Sequence, residues 1–205
     1  MSPLTLPTVW FRLPPGFHDI GPGDRDALEA AADALGSSEA RQQLSQLMDG
    51  LDSLTDHHVV HTAIGLHPDD DAGIATSLFS LSFLHIDQPN SRLAIARTAL
   101  GIARSPLWSS TTRRFLDLPS NLPCCLVAGA LSLPNLGQQL FQARIATLHP
   151  AGSYVLVLDL TSATVEHAEL YIDILEAVTH TLSPVDPEHV AAETGPTSRI
   201  LEVLL

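Results

Sequence analysis

Alternation of hydrophobic and polar positions predicts strands along much of the chain. In residues 8–13 every second position is apolar, and Pro14-Pro15-Gly16 ends the run, which indicates a short edge strand. Two longer alternating runs, residues 57–66 and 74–86, flank an acidic loop at residues 68–73. This order predicts a β-hairpin.

Three further alternating runs predict an antiparallel meander, because each is separated from the next by a short turn. A strong turn signal follows at residues 149–152, and the nearly continuous apolar run after it predicts a central strand buried on both faces. The runs are Arg113 to Leu118, Cys124 to Leu133 and Gln138 to Leu148, and the central strand is Tyr154 to Leu160.

Apolar residues at helical spacing predict four helices. The first is capped by Asp24, the second by Ser37 or Ser38, the third begins at Pro89-Asn90-Ser91, and the fourth begins at Thr164. Their apolar stripes are Leu28, Ala31, Ala32 and Leu35; Leu44, Leu47, Met48 and Leu51; Leu93, Ala96, Leu100 and Ala103; and Leu170, Tyr171, Ile174, Leu175, Val178 and Leu182.

Together these elements predict an α+β fold, with a mainly antiparallel sheet of about six or seven strands and helices packed on it. We expect one domain over residues 1–183 and an acidic, proline-containing tail over residues 184–205, loosely ordered up to Ser198. The tail ends in an apolar segment, which we expect to dock on the domain or on another chain. The expected partner-binding residues are Ile200, Leu201, Val203, Leu204 and Leu205.

Composition indicates a globular chain and narrows the classes of partner. Hydrophobic residues make up 45% of the 205 residues and charged residues 16%, which is typical of a folded protein. The formal net charge is -13, and this disfavours nucleic acid and anionic membrane as partners. The sequence contains ten arginines and no lysine, so chemistry that needs a Schiff-base or P-loop lysine is excluded.

The first seven residues do not have the pattern of a secretory signal. Residues 1–7 contain no basic residue and no unbroken apolar run, so both parts of a secretory signal are missing. No apolar stretch approaches the ~20 residues that cross a bilayer. The only cysteines, Cys124 and Cys125, are adjacent and cannot close a normal disulfide loop. We therefore expect a cytoplasmic protein.

A histidine-rich segment is the most concrete candidate for chemistry. His57, His58 and His61 follow Asp56, and imidazole with carboxylate is a ligand set for zinc. On a strand the α-carbons of His57 and His61 would lie roughly 13 Å apart, too far for one ion. We therefore expect solvated histidines on a strand face rather than a metal site, and no cofactor.

The acidic run Asp69 to Asp71 lies close in sequence to these histidines and to His67. The run lacks the ligand spacing of an EF-hand, so we expect a hairpin turn there. If its carboxylates surround the imidazoles in the fold, they raise the imidazole pKa values, because negative charge favours the protonated form. The alternative is exposed histidines whose pKa stays near ~6.5.

The remaining motifs give no catalytic signature. The sequence contains neither Gly-x-Ser-x-Gly nor Gly-x-Gly-x-x-Gly. A regular strand would direct Cys124 and Cys125 to opposite faces, so that one is packed and the other meets solvent or a helix. Arg113 and Arg114 form the only adjacent basic pair, and we expect them on an outward strand face or in a local ion pair.

The order of elements resembles the PsbP-like α/β/α sandwich. The first strand ends in Leu13-Pro14-Pro15-Gly16-Phe17, helices and a meander follow, and a strand-helix unit from Tyr154 to Thr181 closes the domain. The layout also resembles small bacterial proteins of unknown role with a similar Pro-Pro-Gly segment. The resemblance covers residues 9–183. Members of such a group are usually accessory or binding proteins, so the resemblance implies a binding role and carries over no catalytic residue.

The sequence therefore favours a non-catalytic, cytoplasmic interaction or accessory module that binds a protein partner. Two alternatives remain open. One is a metal-dependent hydrolase that uses the segment with His57, His58 and His61. The other is an oligomeric scaffold or assembly protein.

Overall fold

In the part of the chain that the computed structural model describes, seven strands form one sheet, and every neighbouring pair of strands is antiparallel. The structure describes residues 7–21, 24, 59–68, 74–87, 89–118, 120–132, 139–150 and 152–186. The strand order across the sheet is β1-β2-β3-β7-β6-β5-β4. The strands are β1 (Phe17–Asp19), β2 (Val59–Pro68), β3 (Ile74–His85), β4 (Trp108–Asp117), β5 (Pro123–Ser132), β6 (Gln139–Leu148) and β7 (Tyr154–Ser162).

Two described helices cover opposite faces of this sheet. Helix α1 (Ser91–Ala103) connects β3 to β4 and packs mainly on β5 and β6. Helix α2 (Ala168–His180) follows a 3-10 turn (Val165–His167) and packs on β6 and β7. We call the two sides of the sheet the α1 face and the α2 face. The α+β fold predicted from the sequence is confirmed, and neither helix is long and apolar enough to cross a membrane.

The main core lies on the α2 face. Tyr171, Leu175 and Val178 recur at helical spacing on α2 and are at most 1% exposed. They pack on alternate residues of the strands, including Ile145 and Leu158. The final helix is therefore a core element, as its apolar stripe predicts, although Leu170 points outward and is 49% exposed.

Strand β7 is the central strand that its apolar run predicts. Val155 and Val157 belong to the cluster under α1, whereas Leu156 and Leu158 belong to the cluster under α2. All four side chains are at most 8% exposed. A strand covered on both faces has no polar side to alternate with, which explains its continuous hydrophobicity.

Helix α1 is rotated relative to the stripe predicted for it. The side chain of Asn90, the residue before the helix, accepts a hydrogen bond from the Leu93 backbone N–H at 3.1 Å, so the predicted start of the helix is confirmed. The buried residues are Ala94, Ile95 and Ala99, whereas Leu93 is 41% exposed. Apolar residues occur almost all round this helix, and periodicity therefore left its orientation undetermined.

The edge strand predicted at residues 8–13 is wrong as a strand of the sheet. With the other described residues this segment forms a single bridge, between Trp10 and Ser183, with both backbone hydrogen bonds at 2.8 Å. The edge position belongs to β1, which follows Gly16 at a φ of +93°. The predicted apolar face is nevertheless real, because Val9, Phe11 and Leu13 all pack against the main core.

The predicted hairpin of β2 and β3 and the predicted meander of β4 to β7 are confirmed. Strand β4 begins at Trp108, five residues earlier than Arg113, where the alternating pattern starts. Its first half is serine and threonine, and an exposed edge strand has no buried side that would require alternation. The two helices predicted between residues 24 and 51, the acidic loop and the tail after residue 186 lie outside the described residues.

Candidate interaction surface

Strand β4 forms one edge of the sheet and is open to solvent. Eight of its ten residues are exposed, and only Trp108 and Leu116 are partly buried. The opposite edge, β1, has only three residues. A long exposed edge presents a row of backbone N–H and C=O groups to which another strand can bind. Natural proteins usually shorten or interrupt such an edge, and no proline or glycine interrupts β4.

The side chains of β4 differ between the two faces of the sheet. On the α2 face, Arg114 makes an ion pair with Glu176 of α2, which confirms one of the roles expected for the arginine pair. On the α1 face, Phe115 is 68% exposed, more than any other large hydrophobic residue that the structure describes. No sequence motif identified Phe115 as a candidate residue. Its signal was a single aromatic residue directly after a polar run.

A depression of about 320 Å³ lies at the end of the sheet next to the turn that follows β4. Its walls are mostly apolar. Two buried hydroxyls also line it, and both donate to backbone carbonyls: Thr147 to Pro123 at 3.2 Å, and Thr179 to Leu175 at 2.7 Å. These two donors are already used, and the other polar residues of the lining, Ser120 and His180, are exposed. The apolar lining residues include Leu118, Leu122, Leu148, Leu156 and Leu182.

A buried polar cluster joins α2 to the sheet. Nε2 of His67 lies 3.0 Å from Oγ of Ser77. Further along the cluster, the Tyr171 hydroxyl donates to Ser162 Oγ at 3.0 Å, and Ser162 donates to the Thr76 carbonyl at 2.7 Å. Tyr171 is fully buried. The chain of hydrogen bonds therefore satisfies the hydroxyls that packing removes from water.

The pair of His67 and Ser77 has the atoms of a nucleophile and its base, but its surroundings do not suit catalysis. Ser77 is only 3% exposed, so a substrate has no access to its hydroxyl. Burial, and then the charge of His167, lower the pKa of His67, and no carboxylate of the described residues contributes to that pKa. The shift at His67 is therefore opposite to the rise expected from the acidic residues Asp69 to Asp71, which lie outside the described residues.

Of the residues considered for a metal site, only His61 is described; Asp56, His57 and His58 lie outside the described residues. His61 is on β2, and its ring meets those of Phe11 and Phe79, at 5.0 and 6.2 Å between centroids. Its Nε2 lies 3.2 Å from Oδ1 of Asp19, outside hydrogen-bond geometry. In the part of the chain that the structure describes, no three histidine, cysteine, aspartate or glutamate side chains group as metal ligands.

A second cluster of polar side chains lies on the α1 face of the central strands. Asp159 pairs with Arg144, directly opposite on β6, and accepts from Gln142 Nε2 at 3.0 and 3.1 Å and from Thr161 at 2.9 Å. The carboxylate oxygens are therefore already engaged. This arrangement stabilises a charge at a largely buried position, since each polar partner is satisfied.

The two cysteines alternate across β5 as predicted. Cys124 belongs to the main core, and Cys125 packs under α1, so both are buried and neither is open to solvent. Burial raises the pKa of the Cys124 thiol to about 12. Burial also raises the pKa of Cys125, against the opposing effect of Arg113. Neither thiol is a reactive nucleophile in this setting.

The predicted partner-binding residues at the C-terminal end lie outside the described residues; they are Ile200, Leu201, Val203, Leu204 and Leu205. Among the described residues, strand β4 with Phe115 is the surface that offers both unpaired backbone groups and exposed apolar area. It is the candidate functional site of this structure.

Comparison with known proteins supports the fold and gives no function. The sequence matches no family model and no curated protein. The structure is similar to LpqN, a Mycobacterium tuberculosis protein involved in cell envelope biogenesis, with a TM-score of 0.50 and 14% identity over 89% of this chain and 86% of that chain. A Pseudomonas aeruginosa protein of unknown function, PA94, described as a putative regulator, gives a TM-score of 0.46 and 16% identity over 61% of this chain and 83% of that chain.

Proposed function

We propose that this protein is a non-catalytic interaction module that binds a protein partner through the open edge of β4. The observation that carries the proposal is the exposure of eight of the ten residues of this strand. An extended segment of a partner can add to such an edge as a further strand, with backbone hydrogen bonds for affinity and side-chain contacts for specificity.

The chemistry of the strand favours a protein partner. Exposed Phe115 supplies an apolar contact, and aromatic residues are enriched in protein interfaces. The net charge of -13 opposes binding to nucleic acid or to an anionic membrane. A protein strand needs neither a basic surface nor a cofactor.

We also propose that the chain belongs to the PsbP-like α/β/α sandwiches and that it works in the cytoplasm. Helices on both faces of an antiparallel sheet support membership of the PsbP-like α/β/α sandwiches. The two free thiols on opposite faces of β5 suit a reducing cytoplasm. The envelope role of LpqN stays with that protein, because a similarity at 14% identity concerns the fold alone.

Affinity capture with an edge-blocked variant tests the function. The variant combines Thr111→Pro and Phe115→Lys, which remove a backbone N–H from the open side of β4 and the apolar contact. The control is Leu93→Lys on the exposed side of α1. We expect quantitative mass spectrometry to find partners that wild type and control retain and that the edge-blocked variant loses. In the purified complex, amide exchange should slow along β4.

The same set of partners on all three proteins would contradict a binding role for this edge. Circular dichroism and melting of the edge-blocked variant show whether it is folded, so that a loss of partners is not mistaken for unfolding. If the proline disturbs the fold, Phe115→Lys alone replaces it.

A further inference from the structure

Two side chains of opposite charge flank the exposed Phe115 on β4. Arg113, Phe115 and Asp117 occupy alternate positions and so share one face of the sheet. It is the α1 face, because Phe115 stands opposite Cys125, which packs under α1. Phe115 therefore has a positive charge two positions before it and a negative charge two positions after it.

Both flanking charges are available for a partner. Within the described part of the chain, neither Arg113 nor Asp117 makes a hydrogen bond or an ion pair, whereas Arg114 on the other face is engaged by Glu176. Arg113 and Asp117 are both exposed. A strand with this order of charges complements its own sequence when the two run in opposite directions.

We propose that β4 pairs antiparallel with β4 of a second copy of this chain, with the two-fold axis at Phe115; this rests on the proposed role of β4 as a docking strand. In an antiparallel pair, residues at equal distances from the axis stand opposite each other and point to the same face. Arg113 of each copy then faces Asp117 of the other, and the two Phe115 side chains meet at the axis. The two sheets join into one continuous sheet.

Other registers lose these contacts. An axis at Arg113 or at Arg114 places two guanidinium groups directly opposite each other, and like charges in that position destabilise a strand pair. An axis at Thr112 sets Arg113 opposite Thr111 and leaves its charge unpaired. Of these registers, only the one centred on Phe115 pairs both charges and both aromatic rings.

Charge exchange between the two positions tests the pairing in the full-length chain. In a dimer of Arg113→Asp, both cross-strand pairs between positions 113 and 117 consist of two aspartates. In a dimer of Asp117→Arg, both pairs consist of two arginines. We expect sedimentation velocity to show wild type as a dimer in a concentration-dependent equilibrium and each single variant as a monomer. An equimolar mixture of the two variants should form a heterodimer, because every cross-strand pair is then of opposite charge. The double variant should recover the homodimer.

The matched control is Arg97→Asp on the exposed surface of α1, which changes the net charge as much as Arg113→Asp does. It should remain a dimer. If Arg97→Asp also dissociates, net repulsion rather than β4 pairing controls the association, and the proposal is wrong. A mixture of the single variants that stays monomeric overturns it as well.

A cysteine at the axis tests the register. Opposite α-carbons of an antiparallel pair lie roughly 4.5–5.5 Å apart, within the span of a disulfide. Phe115→Cys should therefore give a covalent dimer on mild oxidation, whereas Thr112→Cys, which stands away from the axis, should not. The native cysteines are buried and contribute little. A covalent dimer of Thr112→Cys without one of Phe115→Cys would overturn this register.

Failure of this inference is distinguishable from failure of the proposed function. A wild-type chain that is monomeric at all concentrations, but that loses captured partners when β4 is blocked, binds a strand of another protein at this edge. Self-pairing would then be wrong and the binding role would stand. A monomer whose partners do not depend on β4 contradicts both.

Discussion

The hydroxyl of Tyr171 on α2 donates to Oγ of Ser162 at the end of β7, at a distance of 3.0 Å. This contact joins the fully buried tyrosine of the helix to the sheet, and the Ser162 hydroxyl in turn donates to a backbone carbonyl of β3. The core of the α2 face therefore includes hydrogen bonds that join the helix to β7 and β3.

Tyr171→Phe should lower the free energy of unfolding by about 1 kcal/mol, because it removes one buried hydrogen bond and leaves the ring in place. Urea denaturation measures the change. Tyr154→Phe is the matched control, since no described residue forms a hydrogen bond with the Tyr154 hydroxyl, and it should change the stability little. Equal effects of the two substitutions would show that the Tyr171 hydroxyl contributes nothing specific.

Gly129→Ala should destabilise the protein by about 1–3 kcal/mol. A β-carbon at Gly129 would clash with the backbone carbonyl oxygen of Ser110, at the irregular start of β4, and backbone cannot rotate away as a side chain can. Gly101→Ala on α1 meets nothing within 4 Å and should stabilise by about 0.5–1 kcal/mol, because alanine favours helix. Opposite signs in thermal or chemical unfolding are expected; a stable Gly129→Ala protein would contradict the close approach.

Lowering the pH below the ordinary histidine pKa of 6.5 should destabilise the fold through His67. Burial and the charge of His167 lower the pKa of His67 in the folded state, so the unfolded chain binds the proton more tightly. The stabilisation is present above pH 6.5 and is lost as the pH falls through that value towards the folded pKa.

The stability of wild type and His67→Gln between about pH 7.5 and about pH 5.5 checks this direction. The variant should lose less stability on acidification. His18→Gln, which changes an exposed histidine on β1, should behave like wild type. Greater acid sensitivity in His67→Gln than in wild type would contradict the sign.

Thiol labelling of the native protein should be slow at both cysteines and faster at Cys125 than at Cys124. Only the thiolate reacts, and burial raises the pKa of Cys124 to about 12. Arg113 partly offsets the same effect at Cys125. Cys124→Ser and Cys125→Ser report on each remaining thiol with a chromogenic disulfide, and Arg113→Ala should slow labelling at Cys125. Rapid, equal labelling would mean that β5 is not buried on both faces.

The sequence by itself determined the strands with a buried side. Alternation or unbroken hydrophobicity marks β2, β3, β5, β6 and β7, because each of them buries one or both faces. It also marked the start of α1, since Asn90 caps the helix through local hydrogen bonds. These features depend on contacts within a few residues or on a periodic buried face.

Only the tertiary structure decided which strand is left at the edge. The local pattern of β4 does not predict that this strand forms a long exposed edge of the sheet, because strand order depends on contacts far apart in sequence. The same holds for the cluster of His67, Ser77 and Tyr171, in which the fold brings two strands and a helix together. Burial there lowers the pKa of His67, and burial is a property of the assembled fold.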